Sequence, residues 1–133
     1  MKKALIIDTS VFLTYIRYNK LYRLIDAFNK YEIDVFVNQN LLNEIERNIN
    51  KNVEVIVDTK EVMDYITSSC ILLEITPTFT QSPDPKDNFL FDLAIQTNSE
   101  ILVTQEKVLL NFENSPVKIR DLNWFKETYP VGL

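Results

Sequence analysis

The sequence predicts an α/β sandwich: three layers, with a central, mainly parallel sheet flanked by helices. Three observations predict it. Short apolar runs alternate with stretches of helical spacing along the whole chain. The first run, Ala4-Leu5-Ile6-Ile7, is apolar at every position, as in a strand buried on both faces. No long linker, repeat or low-complexity segment divides the 133 residues, a length that suits one domain over 1–133.

After the first strand, Asp8-Thr9-Ser10 reads as a helix start, with Val11, Phe12, Tyr15 and Ile16 following. A second helix is marked by Leu21, Leu24, Ile25 and Phe28. Ile33 to Val37 is rich in β-branched and aromatic residues and reads as the second strand. Asn38 to Asn40 then cap a helix bearing Leu41, Leu42, Ile45 and Ile49. A helix over about Thr59 to Thr67 directs Val62, Met63 and Ile66 inward, and Ile71 to Ile75 is the expected third strand. Pro77, Pro83 and Pro85 mark a loop. A helix over about Asp87 to Thr97 follows, carrying Leu90, Phe91, Ala94 and Ile95. Ile101 to Val103 is the fourth strand, Lys107 to Phe112 a short helix, Val117 to Ile119 the last strand, and Leu122 to Tyr129 a terminal helical turn.

Composition excludes several chemistries. With no histidine, imidazole is neither base nor metal ligand. The single cysteine, Cys70, makes no intramolecular disulfide and no thiolate zinc cluster, and reads as a structural thiol. The single glycine, Gly132, rules out glycine-rich phosphate loops. Met1-Lys2-Lys3 and four apolar residues are too short for a signal peptide or a membrane span, so the expected compartment is the cytoplasm. Asp and Glu number 19 against 14 Lys and Arg, a net charge of −5. A chain of that sign does not attract nucleic acid over its whole surface, so a bound cation and local basic residues would have to offset the repulsion.

The remaining chemistry lies with carboxylates. Asp8 and Glu106 both follow strands, Glu44 falls early in the helix after the second strand, and Asp87 starts the helix before the fourth. All four therefore belong at the edge of the sheet where the strands end, the usual ligand edge of such folds. Four acids gathered there call for a hard divalent cation, Mg²⁺ or Mn²⁺, which can polarise a phosphodiester and activate water without histidine. Taken singly, each has a plainer reading: Asp8 and Asp87 as helix caps, Glu44 as a solvated helix residue, Glu106 as a loop acid.

At these residues the chain resembles the PIN-domain family over nearly its whole length. The resemblance rests on Leu5-Ile6-Ile7-Asp8-Thr9-Ser10-Val11-Phe12, on Leu41-Leu42-Asn43-Glu44-Ile45, on Asp84-Pro85-Lys86-Asp87-Asn88-Phe89-Leu90 followed by Ala94, and on Ile101-Leu102-Val103-Thr104-Gln105-Glu106-Lys107. It implies Mg²⁺- or Mn²⁺-dependent cleavage of RNA by Asp8, Glu44, Asp87 and Glu106. Many family members are toxins of VapBC-type toxin–antitoxin pairs, so a small antitoxin is an implied partner and a homodimer another. Glu106 stands where the family usually has Asp, and Gln105 where a small residue is frequent.

Thr9, Ser10 and Thr104 are candidates to orient the carboxylates or water. Asp84 and Asp92 are nearby acids that could substitute or assist, but they read better as a loop acid before proline and a solvated helix residue. Arg47 and Lys51 lie three and seven residues after Glu44, on one helix face, and with Lys86 are candidate RNA contacts. Lys107 adjoins Glu106 and reads as surface charge. Tyr15, Tyr18 and Tyr22 read as core or partner-facing, with base stacking as the alternative. The leading expectation is a metal-dependent endoribonuclease. The alternatives are a catalytically weak PIN-like module that binds RNA or protein, and a phosphatase or DNA nuclease using the same acids.

Overall fold

A computed structural model describes residues 3–51 and 57–132. The elements run β1 (Lys3–Ile7), α1 (Thr9–Arg17), α2 (Leu21–Lys30), β2 (Ile33–Val37), α3 (Gln39–Lys51), α4 (Thr59–Ser69), β3 (Ile71–Leu72), a 3₁₀ turn (Pro85–Asp87), α5 (Asn88–Gln96), β4 (Ile101–Val103), α6 (Lys107–Leu110), β5 (Lys118–Arg120) and α7 (Leu122–Thr128). The five strands form one sheet in the order β3-β2-β1-β4-β5, every pairing parallel.

That order fixes the layers. From β1 the chain moves one way to β2 and β3, then crosses back to β4 and continues to β5. Parallel crossovers are right-handed, so the helices of the first two connections, α1 to α4, cover one face, while α5 and α6 cover the other. The terminal helix α7 returns to the first face, where Phe125 packs edge-on against Phe28 of α2 at 6.5 Å between ring centroids. The strand order reverses between β1 and β4, which pair through Leu5–Ile101, Ile6–Leu102 and Ile7–Val103.

Local sequence accounts for the element boundaries. Asp8 caps α1, Asp58 caps α4 through Glu61 N at 3.2 Å, and Asp121 caps α7 through Trp124 N at 2.9 Å. Asn38 Oδ1 accepts from Leu41 N at 3.0 Å and opens α3. The central strands are dry: Leu5, Ile6, Ile7, Val35, Val37, Leu102 and Val103 are all buried. With Phe12, Phe91 and Phe125 they belong to one continuous core cluster. Each such side chain contributes about 1.5–3 kcal/mol by leaving water.

Three expectations need correction. The third strand covers Ile71–Leu72 rather than running to Ile75, and both residues are exposed. It is an edge strand, and Pro77 just beyond has no N–H to extend a ladder. The chain then peels away to cross under the sheet. Gln96 holds it by a pair of bonds to the Thr76 backbone, at 3.0 and 2.7 Å.

The second correction concerns α5, which is not amphipathic in the expected way. Its residues Phe89 to Ala94 are all buried, whereas Ile95 is 46% exposed. The peeled-away segment covers the outer side of the helix, with Phe79 stacked on Phe91 at 4.8 Å. A helix buried nearly all round loses its apolar stripe. The last strand is also displaced by one residue, to Lys118–Arg120, and Cys70 is half-buried with its thiol pushed up to about 12 by burial, in keeping with a structural role. No helix among the described residues is long and apolar enough to cross a membrane.

Candidate metal centre

Asp8 leaves β1 at the point where the strand order reverses, and it is 2% exposed. A buried carboxylate is costly unless bonded, and this one has three donors. Thr9 N donates to Oδ1 at 2.8 Å, while Ser10 Oγ and Thr104 Oγ1 donate to Oδ2 at 3.1 and 2.8 Å. Burial raises its pKa, and the Thr104, Ser10 and Thr9 bonds pull against that rise. Thr104 lies just past β4, so its hydroxyl bridges the two strands that flank the reversal. The same oxygen accepts from Glu106 N at 3.1 Å and so sets the backbone of the next acid.

Asp87 ends the 3₁₀ turn and sits at the N-cap position of α5, yet its side chain caps nothing. It is 7% exposed, and among the described residues no hydrogen bond reaches its carboxylate. Its pKa is pushed up to about 7, first by burial and then by the charges of Glu106, Asp8, Asp84 and Glu44. Glu106, at the N-cap of α6, and Glu44, in the first half of α3, are half-buried. Burial raises both, and Asp8 and Asp84 raise both further. Arg47 and the Thr9 side chain pull Glu44 the other way. The Thr9 hydroxyl itself is buried beside this group with no hydrogen bond closed to it.

The four acids, scattered over nearly a hundred positions, therefore meet in one electrostatic cluster. Asp84 is a fifth member that the sequence reading placed on a plain loop. The missed signal was Asp84-Pro85-Lys86-Asp87: in a 3₁₀ turn, residues three apart eclipse each other and share a face. Asp84 also caps that turn, accepting from Lys86 N at 3.0 Å. Asp92, by contrast, is buried and remote from this chemistry, bonded instead to the backbone of Thr78 and Phe79. The expected solvated helix position is thus a buried structural anchor.

Of the candidate cations, Arg47 bears on Glu44, whereas Lys51, Lys86 and Lys107 are exposed and exert no resolved pull on any of the acids. Gln105 lies across α1. Its Nε2 donates to Ser10 O and Thr14 Oγ1, and its N–H to Ser10 Oγ.

Among the described residues, no three acids already stand at a spacing that would ligate one ion. The donor set nonetheless fits a hard cation. All the available donors are carboxylate or hydroxyl oxygens, the acids raise one another's pKa, and a buried hydroxyl lies unpartnered among them. Mg²⁺ is commonly held through one or two carboxylates with waters completing the shell, so direct contact by three acids is not required.

A family model described as a PIN domain matches residues 4–107. No curated protein sequence matches the chain. Among the solved structures that share its fold are two that cover nearly the whole chain. PAE2754 from Pyrobaculum aerophilum is 16% identical, with a TM-score of 0.68, over 97% of this chain and 98% of that one. VapBC2 from Rickettsia felis, solved bound to a DNA fragment from its promoter, is 14% identical, with a TM-score of 0.64, over 89% and 98%. At these identities the likeness is one of fold.

Proposed function

Because the chain belongs to the PIN-domain family, a family of nuclease-type domains, we propose that it is a Mg²⁺- or Mn²⁺-dependent endoribonuclease whose site is Asp8, Glu44, Asp87 and Glu106. One observation carries the reading: acids distant in sequence meet at the strand-order reversal, where burial first and the neighbouring acids second push the Asp87 pKa up to about 7. Structural ion clusters also shift pKa values, but a carboxylate left without a hydrogen bond at a ligand edge is the pattern of a working site.

The residues divide the work. Asp8, locked by Thr9, Ser10 and Thr104, is the fixed point of the site. Among the described residues Asp87 and Glu106 have no such donors and Glu44 has only the Thr9 side chain beside it, and all three offer their oxygens to a cation and its waters. A bound Mg²⁺ or Mn²⁺ would supply water activation and shielding of phosphate charge. Asp87 becomes increasingly protonated below about pH 7 and would release that proton on binding an ion, so ion affinity weakens on acidification. Arg47 on α3, with Lys51 and Lys86, offers positive charge to the RNA backbone as it leaves the acids.

A toxin role with a small antitoxin partner and a homodimeric state belong to this reading as its outer parts; family membership supports them. A second reading, a PIN-fold binding module of weak catalysis, is favoured by the lack of three acids at ligating spacing among the described residues and by Glu at position 106. RNA cleavage with Mn²⁺, lost in a folded Asp8→Asn variant, is the expected result. Undiminished cleavage by that variant would remove the proposed mechanism, and no cleavage by the wild type would leave the binding module.

A further inference from the structure

A cavity of about 370 Å³ opens between α1, α2 and α7, on the face away from α5. That volume is within the range of small-ligand sites. Three cations line it, Lys20, Arg23 and Lys126, and among the described residues no carboxylate does. In a chain of net charge −5 this is a local inversion of sign. Among the described residues none of the three is in an ion pair. Cations gathered without a counter-charge repel one another, and an anion entering the cavity relieves that.

The cavity also has the rings that a nucleotide needs. Lys126 Nζ lies 6.0 Å from the Tyr15 ring centroid, and Tyr18 is 66% exposed beside it. A half-buried ring, Tyr15, and an exposed one, Tyr18, next to cations suit single-stranded nucleic acid, with bases on the rings and phosphates on the charges. An acidic peptide would satisfy the cations and leave the rings without stacking partners.

A path joins this cavity to the acids. Ser10, Thr14 and Tyr18 follow one another at one-turn spacing along a single face of α1 and onto its C-cap. Ser10 Oγ donates to Asp8, Thr14 Oγ1 donates to Ser10 O at 3.1 Å, and Thr14 lines the cavity. Gln105 bonds both Ser10 and Thr14 and ties the strip to the residue before Glu106. At 1.5 Å of rise per residue, Thr14 stands about 9 Å from Asp8 along the helix, within reach of a strand of a few nucleotides.

We propose that this cavity is a subsite for one nucleotide of a single-stranded RNA, stacked on Tyr15 and Tyr18 and held at its phosphate by Lys20, Arg23 and Lys126. The proposal rests on the nuclease reading for the placement of the scissile phosphate at the acids.

The test is fluorescence anisotropy of a labelled single-stranded hexaribonucleotide on the full chain, with Ca²⁺ present to offset the acids. The Lys20→Gln/Lys126→Gln variant should bind at least tenfold more weakly, with a salt slope reduced by roughly one to two. Tyr18→Ala should bind at least fivefold more weakly. Lys60→Gln, remote on α4 and paired with Asp64, should match the wild type. All these side chains are exposed, so the fold is retained. In cleavage the cavity variants should raise KM and leave kcat unchanged.

Equal affinity and salt slope in wild type and cavity variants would overturn the subsite, as would a wild type that binds no RNA. So would an acidic peptide that binds the cavity while the RNA does not displace it. The two readings fail separately. Weakened binding without cleavage by any form leaves the subsite and removes the nuclease. Cleavage with KM unchanged in the cavity variants does the reverse.

Discussion

Asp87 and Asp92 stand five residues apart, at the N-cap and in the body of α5, and both are buried. Asp92 accepts the backbone N–H groups of Thr78, at 3.1 and 3.2 Å, and of Phe79, at 2.8 Å. Asp87 accepts nothing among the described residues and faces four other acids. Burial costs a carboxylate much the same at either place; the fold compensates the cost at one and leaves it standing at the other. Depth alone therefore does not separate a structural acid from a functional one. Hydrogen-bond satisfaction does: Asp92 fastens the segment that leaves β3, and Asp87 is kept uncompensated for a cation to meet.

The largest expected effect is on activity. Asp87→Asn should slow RNA cleavage in Mn²⁺ by about 10²–10⁴-fold while the protein stays folded. Asp92→Asn should cleave within a few-fold of wild type under the same single-turnover conditions. Equal loss in both variants would end the distinction. Stability should move the opposite way. Asp92→Ala strips two backbone N–H groups of their acceptor and should cost about 2–4 kcal/mol in urea unfolding. Asp87→Ala removes no hydrogen bond and should be neutral or stabilising.

The pH dependence sharpens the contrast further. Asp87 is held at about 7 in the fold, against an ordinary 3.8. Between these values the folded chain retains a proton that the unfolded chain has released. Stability should therefore be greatest near the lower value and fall as pH rises toward 7, then level off. Asp8, Glu44 and Glu106 are raised as well and add to the same slope. Solvent at the mouth of the cleft screens the penalty, which holds the Asp87 part to about 1–2 kcal/mol. Thermal unfolding in EDTA at about pH 5.5 and about pH 7.5 should show it, and Asp87→Asn should flatten it. Mn²⁺ should raise the midpoint at the higher pH only.

What was legible in the sequence follows the same division. The parallel sheet was readable because Ala4 to Ile7 and Ile101 to Val103 are short apolar runs and Ile33 to Val37 is rich in β-branched and aromatic residues. Their ends, with the helices that begin at the same edge, put Asp8, Glu44, Asp87 and Glu106 on one side of the sheet. Thr9, Ser10 and Thr104 all bond or border those acids. The region from 71 to 97 was less legible because its order is tertiary. Nothing local says that Ile71 to Ile75 will pair for only two residues, or that Asp92 will turn inward to meet Thr78. Arg23 and Lys126 lie about a hundred residues apart, so a cavity shared by them has no sequence signal beyond the tyrosines of α1 and its C-cap.

The smallest predicted effect falls on Gln105, where the family more often has a small residue. Its side-chain amide spans from the loop after β4 to Ser10 O and Thr14 Oγ1 on α1. Those bonds are exposed, so their net worth is small, and Gln105→Ala should cost about 0.5–1.5 kcal/mol. The N–H of residue 105 still reaches Ser10 Oγ at 3.1 Å in that variant, and Thr104 still reaches Asp8, so the acids keep their frame. Cleavage of a long RNA should change less than threefold at saturation. A loss of more than tenfold in kcat would show that the strap positions the acids themselves. Gln105 would then act with Thr104 as part of the Asp8 support, and the line between satisfied anchors and unsatisfied acids would have to be redrawn to include it.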